Sequence, residues 1–352
     1  MSRILLLPGD GVGPEVVAEA RACLEMVAAA SGFELDFDSQ PFGGAAIDAV
    51  GDPLPPATLA AARAADAILL GAVGGPQYVA ANRTPEMGLL ALRSELGLFA
   101  NLRPARVIDG LEHLSPLKDE RVRGSDILVI RELTGGLYFG EKQRRGDMAS
   151  DLCVYTRPEV ERIARIGFEA ARGRRGRLTS VDKANVLETS RLWREVVSGM
   201  AADYPDVTLD HLYVDAAAMH LVMRPASFDV IVTENLFGDI LSDQLSVIGG
   251  SIGLLPSASR GNDGPMLFEP IHGSAPDIAG TGKVNPAGAI ASAAMLLDMA
   301  LGRSEEAAML VAALENTLRD GVRTADLGGS ARSSEFGEAV RQRLAATVKE
   351  AA

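Results

Sequence analysis

The chain has 352 residues, 47% of them hydrophobic and 23% charged, and its 34 Lys+Arg against 47 Asp+Glu give a formal net charge of -13. That length suits about two domains of ~150 residues, and the composition is globular and not disordered. The negative charge is repelled by phosphate backbones and anionic lipid, which argues against nucleic acid and membrane surfaces as partners, while two cysteines, Cys23 and Cys153, are too few for a disulfide framework or a thiolate zinc site.

Residues 4–7 form an apolar run that reads as a buried strand, too short for a signal peptide. No apolar run reaches the ~18–20 residues of a membrane span, so a soluble cytoplasmic protein is expected. Pro8-Gly9-Asp10-Gly11-Val12-Gly13-Pro14 follows as a loop, with Pro14 suited to a first helical turn. Over 15–30, Val16, Val17, Ala20, Leu24 and Val27 recur at helical spacing. Residues 33–37 alternate as a half-buried strand, 57–65 read as a helix, and 67–73 as a buried strand ending in Gly74-Gly75-Pro76. Further strands are expected at 126–132 and 228–233, with helices at 159–172 and 190–200 between them. Helices at 287–299 and 305–319 and a closing helix complete the chain. Repeated β-α-β units with glycine at strand ends predict an α/β fold with helix-covered sheets.

The first glycine loop resembles a dinucleotide fingerprint but fails it, because Pro14 interrupts the pattern. It reads equally as a tight turn that delivers Asp10 and Val12 to a cleft. In Phe237-Gly238-Asp239-Ile240-Leu241-Ser242-Asp243, the two aspartates stand at i,i+4 and share a helix face. An oxygen-only pair suits Mg²⁺ or Mn²⁺ and not zinc; alternatively each solvates the first turn of the helix. Asp215, a lone acid in an apolar run, is a candidate third ligand. Arg93, Arg103 and Arg131 adjoin apolar or strand segments, where a fixed guanidinium fork suits a carboxylate or a surface ion pair. Lys183, at a strand-to-helix turn, reads as a general base or as the ion-pair partner of Asp182. Tyr138 lies in a glycine-flanked segment that exposes its hydroxyl or packs it with Phe139.

A second glycine loop, Glu269-Pro270-Ile271-His272-Gly273-Ser274-Ala275-Pro276-Asp277-Ile278-Ala279-Gly280, offers small residues and backbone amides to a phosphate or makes a capping turn. Asp277 suits a ribose diol and repels a 2′-phosphate, which favours NAD over NADP. His272 lacks a neighbouring histidine for metal binding, and His113 and His211 read as surface residues.

Five segments, at 7–15, 98–104, 180–187, 235–243 and 272–280, together resemble the isocitrate/isopropylmalate β-decarboxylating dehydrogenase family, over about residues 3 to 345. The resemblance implies a two-domain isopropylmalate dehydrogenase-like α/β fold that is not a Rossmann dinucleotide fold. A first, discontinuous, cofactor-side domain would span 1–98 and 251–352, and a second, inserted, dimerisation and metal-site domain 99–250. It implies a homodimer in which Lys183 and Asp215 reach the partner's active site. Arg93, Arg103 and Arg131 would hold the malate carboxylates, and Asp215, Asp239 and Asp243 one Mg²⁺ or Mn²⁺. Lys183 would be the base for the 2-hydroxyl and Tyr138 the acid. Glu86 would approach the nicotinamide of NAD, with His272, Gly273, Ser274, Ala275, Asp277, Ile278 and Asn285 on the cofactor's adenosine side.

The implied activity is NAD-dependent oxidative decarboxylation of 3-isopropylmalate in leucine biosynthesis, or of D-malate, tartrate or another 3-substituted malate. Leu89 and Leu90 would set an apolar wall against the variable group. Burial of a branched alkyl there is worth about 0.8 kcal/mol per CH₂, whereas a carboxylate would be desolvated. The stretch 75–83 is shorter than the family usually has, the 142–152 loop is unusual, and Lys283 stands where an apolar residue is common. The arginines, Lys183 and the cation would make a locally positive site in an acidic chain.

Overall fold

The computed structural model describes residues 1–78 and 82–351. Residues 79–81 of the short stretch at 75–83 therefore lie outside it. In chain order the elements are β1 (Ser2–Gly9), α1 (Gly13–Ser31), β2 (Leu35–Ser39), α2 (Gly44–Val50), α3 (Pro56–Ala64), β3 (Ala67–Ala72) and α4 (Pro85–Glu95). They continue with β4 (Ala100–Arg106), α5 (Asp119–Val122), β5 (Asp126–Glu132), β6 (Lys142–Arg145), β7 (Met148–Asp151), α6 (Arg157–Arg172), β8 (Arg177–Asp182) and α7 (Glu188–Met200). Then come β9 (Thr208–Tyr213), α8 (Val214–Met223), β10 (Val230–Thr233), α9 (Asn235–Ile248), β11 (Pro256–Arg260), β12 (Met266–Pro270), α10 (Ala287–Met299), α11 (Ser304–Arg319) and α12 (Ser333–Ala351). Backbone contacts divide the chain into two units, Met1–Leu98 with Ser251–Ala352, and Phe99–Gly250.

The first unit is built on strands in the order β2-β1-β3-β12-β11. Pairs β1–β2, β1–β3 and β3–β12 are parallel, and β11 runs antiparallel to β12. Ile4, Leu5, Leu7, Ile68, Leu69 and Leu70 are fully buried, as continuous apolar runs in an interior parallel sheet require. Helices α1 and α10 pack on this sheet, and α11 and α12 pack behind them. All five apolar residues of the α1 stripe are buried, and the helix stops at Gly32, which adopts φ 69°. Strand β2 starts two residues later than alternation indicates. It is a sheet edge with no fully buried residue, and Phe33 lies outside it, 3.7 Å beneath the Arg303 guanidinium.

The second unit orders its strands β4-β5-β10-β8-β9, with β4 antiparallel to β5 and the rest parallel. Helix pairs α6–α7 and α8–α9 pack on the sheet. A capping box, in which the Thr156 N–H donates to Glu159 Oε2 at 2.7 Å, starts α6. Glu234 caps α9 by accepting from the Phe237 N–H at 2.8 Å. The unusual 142–152 stretch contains the hairpin β6–β7, turned at Gly146 (φ 58°) and exposed at every strand residue. No helix among the described residues is long and apolar enough to cross a membrane, and both cysteines are free.

Candidate active site

Sheet register brings the second unit's groups together. Thr233, at the end of β10, pairs with Arg131 near the end of β5, so α9, which starts at Asn235, begins beside that arginine. The expected face of α9 forms, with Asp239 and Asp243 one turn apart. Arg131 is 5% exposed. Its Nη1 donates to Asp239 Oδ1, and its Nε and Nη2 donate to Asn235 Oδ1 at 3.0 and 2.8 Å.

Arg103, on the neighbouring β4, donates from Nε to Asn101 Oδ1 and from Nη1 to Ser242 Oγ, both at 2.6 Å. Its Nη1 also lies 3.7 Å from Asp239 and 3.6 Å from Asp243. The Tyr138 hydroxyl donates to Asp239 Oδ2 at 2.7 Å, so it is engaged by the site and is not simply packed with Phe139. Burial first, then the Asp239 hydrogen bond, pushes this phenol above its ordinary value of 10.0. Arg103, Arg131, Tyr138, Asp239 and Asp243 thus form one cluster.

Lys183 and Asp215 form a second group in the same unit. Lys183 follows β8, Asp215 opens α8, and the Lys183 Nζ donates to Asp215 Oδ1. That bond holds the Asp215 carboxyl below its usual range. The alternative pair with Asp182 does not form, because Asp182 accepts from Arg194 Nε and Nη2 at 2.8 and 2.9 Å. His113 is exposed. His211 departs from the surface expectation: it is half-buried, with Nε2 2.9 Å from Ser198 Oγ of α7.

In the first unit, Glu86, Leu90 and Arg93 share a face of α4 by spacing. Leu89 packs partly against the core cluster that contains Leu92. Arg93 Nη2 donates to Glu269 Oε1 at 2.8 Å, while its Nε is buried without a partner. A Cβ on Gly74 would lie 3.0 Å from Glu86 Oε1 and 3.5 Å from Ser274 Oγ, so these three residues converge.

The first glycine loop buttresses the second: the Val12 N–H donates to Ser274 O at 2.9 Å. Asp10 is not offered to a cleft. Its carboxylate accepts from the N–H groups of Gly44, Ala45 and Gly74 at 2.8–2.9 Å. Glu15 accepts from the Gly280 and Gly282 N–H groups at 2.6 and 3.0 Å, tying the far end of the second loop. Within that loop Gly273, Ala275 and Asp277 are exposed, and Ile278 is half-buried. Ala275 is the one non-glycine residue with positive φ, 39°, among the described residues, a strained conformation of the kind that gathers at functional sites. Asn285 is buried and donates to Asp326 Oδ2 at 3.0 Å. Asp10, Glu15 and Asn235 lie inside segments that the sequence singles out, but their structural roles, like that of Asp326, depend on partners remote in the chain.

Two hard carboxylates one turn apart fit a divalent cation. Burial and the neighbouring Asp239 charge raise the Asp243 carboxyl, which a cation would relieve. No group of three acidic, histidine or cysteine side chains among the described residues is placed to hold a metal ion, so Asp215 does not join this pair within one chain. For NAD, the fitting features are the exposed loop at Gly273 and Ala275 and the buried, unpartnered Nε2 of His272. Burial pulls that imidazole below its ordinary value, keeping it neutral at pH 7.

The isocitrate/isopropylmalate dehydrogenase family model matches residues 3–340. A 3-isopropylmalate dehydrogenase from Streptococcus thermophilus is 53% identical over 342 residues, 97% of this chain and 99% of its own length. One from Anaeromyxobacter dehalogenans is 54% identical over 351 residues, 98% of this chain and 99% of its own. The crystal structure of isocitrate dehydrogenase from Methylococcus capsulatus superposes with a TM-score of 0.88 at 37% identity, covering 98% of this chain and 99% of that one. The chain belongs to the isocitrate/isopropylmalate dehydrogenase family.

Proposed function

We propose that this chain is a cytoplasmic, NAD-dependent 3-isopropylmalate dehydrogenase that forms 4-methyl-2-oxopentanoate and CO₂ in leucine biosynthesis. The observation that carries the reading is the cluster of Arg103, Arg131, Tyr138, Asp239 and Asp243 about one helix face, in a chain about half identical to enzymes of that name over nearly its whole length.

Arg93, Arg103 and Arg131 hold the two carboxylates of the malate skeleton; the unpartnered Arg93 Nε supports this. Asp239 and Asp243 would hold a divalent cation, which would supply Lewis-acid polarisation of the 2-oxygen, and Glu86, Asn285 and the second glycine loop would hold NAD, which would supply the hydride acceptor. Lys183 takes the 2-hydroxyl proton. The 2-keto group then lies β to a carboxylate that departs as CO₂, leaving its electron pair with C3. Tyr138, protonated across the neutral range, returns a proton to that carbon.

The active unit in this reading is a homodimer. The second unit leaves Met219, Val222 and Met223 of α8 and Ile240 and Val247 of α9 between 42% and 58% exposed. These apolar stripes support a partner surface on that helix pair. Lys183 and Asp215, bonded to each other and apart from the α9 cluster, would serve the partner's site as one unit.

Leu90, on the face of α4 shared with Glu86 and Arg93, is assigned to the substrate's isopropyl group. Leu90→Ser should lower kcat/KM for 3-isopropylmalate by about 10–200-fold and leave D-malate turnover nearly unchanged. The reading is tested by NADH absorbance with 3-isopropylmalate, D-malate and isocitrate, each with NAD and NADP. The highest kcat/KM is expected for 3-isopropylmalate with NAD; a preference for isocitrate or D-malate would overturn it.

A further inference from the structure

Three residues of α9, at i, i+3 and i+4, all meet one side chain. Gly238 makes room for the stem of Arg131: a Cβ there would stand 2.7 Å from Arg131 Cγ and 2.8 Å from its Cβ. Asp239 accepts from Nη1. Asn235, 1% exposed, accepts from both Nε and Nη2 through the same Oδ1.

The other end of the Asn235 amide reaches the opposite side of the site. Its Nδ2 donates to Gly135 O at 3.2 Å, in the glycine turn that presents Tyr138. The same turn is held from below. The buried Glu132 carboxylate accepts from the Thr134 and Gly135 N–H groups at 2.9 and 2.8 Å. The Tyr155 hydroxyl lies 3.3 Å from Glu132 Oε2 and accepts from the Asn235 N–H at 3.1 Å. Arg131, Glu132, Gly135, Tyr155 and Asn235 are buried, so the bonds among them are neither screened nor replaced by water.

We infer that Asn235 is a positioning residue which orients the Arg131 guanidinium with its carbonyl oxygen and the Tyr138 turn with its amide nitrogen, aligning a substrate-binding group and the proton donor through one side chain. A guanidinium held along Nε and Nη2 keeps its plane fixed before a carboxylate arrives, and a misplacement of about 1 Å costs about 100-fold in rate. The inference rests on the roles proposed above for Arg131 and Tyr138.

The test is steady-state kinetics with 3-isopropylmalate on Asn235→Ala, in the wild-type and the Arg131→Lys backgrounds. Asn235→Ala should lower kcat/KM about 100-fold, largely through KM, with the NAD Kd unchanged by calorimetry. In the Arg131→Lys background the same change should cost less than about threefold, because the two residues act as one unit. Asn235→Asp separates the two arms and stands in should the alanine variant fail to fold. It keeps the acceptor for Arg131 but sets an oxygen against Gly135 O, so KM should hold while kcat falls. Full activity in these variants, or equal losses in both backgrounds, would overturn the inference alone. An inactive wild-type chain would overturn the proposed function, and the inference with it.

Discussion

Lys183→Ala and Tyr138→Phe should each lower kcat by about 10²–10⁴-fold, the range for losing a general base or acid, and leave the NAD Kd within about twofold. The separation of effects follows from placement. Both residues belong to the second unit, whereas the residues assigned to NAD belong to the first. Tyr138→Phe removes only the hydroxyl that donates to Asp239, and the ring beneath the Arg131 guanidinium, 5.5 Å from its centroid, remains. Full activity in either variant would remove that residue from the mechanism.

The same two variants test the sharing of sites. If Lys183 serves the partner's site while Tyr138 serves its own, a mixed dimer of the two inactive chains holds one complete site. Equal mixing and re-association should then recover about a quarter of wild-type activity, half the dimers being mixed and half of their sites intact. No recovery above the parents would place both residues in the same chain's site.

Asp239→Asn is the second large expected effect. Asp239 meets Arg131 through Oδ1 and Tyr138 through Oδ2, so an isosteric amide preserves shape while removing the charge. As a proposed direct ligand it should cost divalent-cation affinity more than the ~10–100-fold typical of outer-shell changes, with activity lost in parallel. Asp243 is more exposed, at 61% of its side chain against 35%. Asp243→Asn should therefore weaken Mn²⁺ while disturbing the arginines less. Calorimetric titration with Mn²⁺ reads both without turnover, and an Asp239→Asn chain that binds Mn²⁺ like wild type would discard the ligand assignment.

What the sequence made legible follows from how each feature is encoded. The buried stripe of α1 and the apolar strands β1 and β3 could be read because burial imposes periodicity on residue type. Asp239 and Asp243 could be read because both chemistry and spacing lie within one helix. The hairpin β6–β7 could not, since strands exposed on both faces carry no apolar alternation. Strand β2 was displaced for the related reason that an edge with no buried residue lacks a register signal. The Gly9–Gly13 loop presented a familiar outline whose work is structural: Asp10 ties three backbone amides, and Val12 supports Ser274. The partner of Lys183 was ambiguous because sequence proximity favoured Asp182, whereas the fold gives Asp182 to Arg194 and brings Asp215 from across β9. The Asn235 clamp joins positions 104 and 100 residues apart, and only the pairing of β10 with β5 brings them together.

The acidic composition also finds a local answer. Arg103 and Arg131 are 9% and 5% exposed, and the carboxylates that pair with them are those assigned to the cation. In the proposed reading the two arginines balance Asp239 and Asp243, and the bound cation would add the positive charge that a dianionic substrate needs inside a chain of net charge -13.

In the proposed reaction this chain couples oxidation at C2 to loss of a carboxylate. Simultaneous measurement of NADH absorbance and CO₂ release from 3-isopropylmalate, with and without Mn²⁺, tests it most directly. Equimolar NADH and CO₂, both abolished by chelation of the cation, is expected; NADH without CO₂, or no NADH from 3-isopropylmalate at any cation concentration, would rule the coupling out.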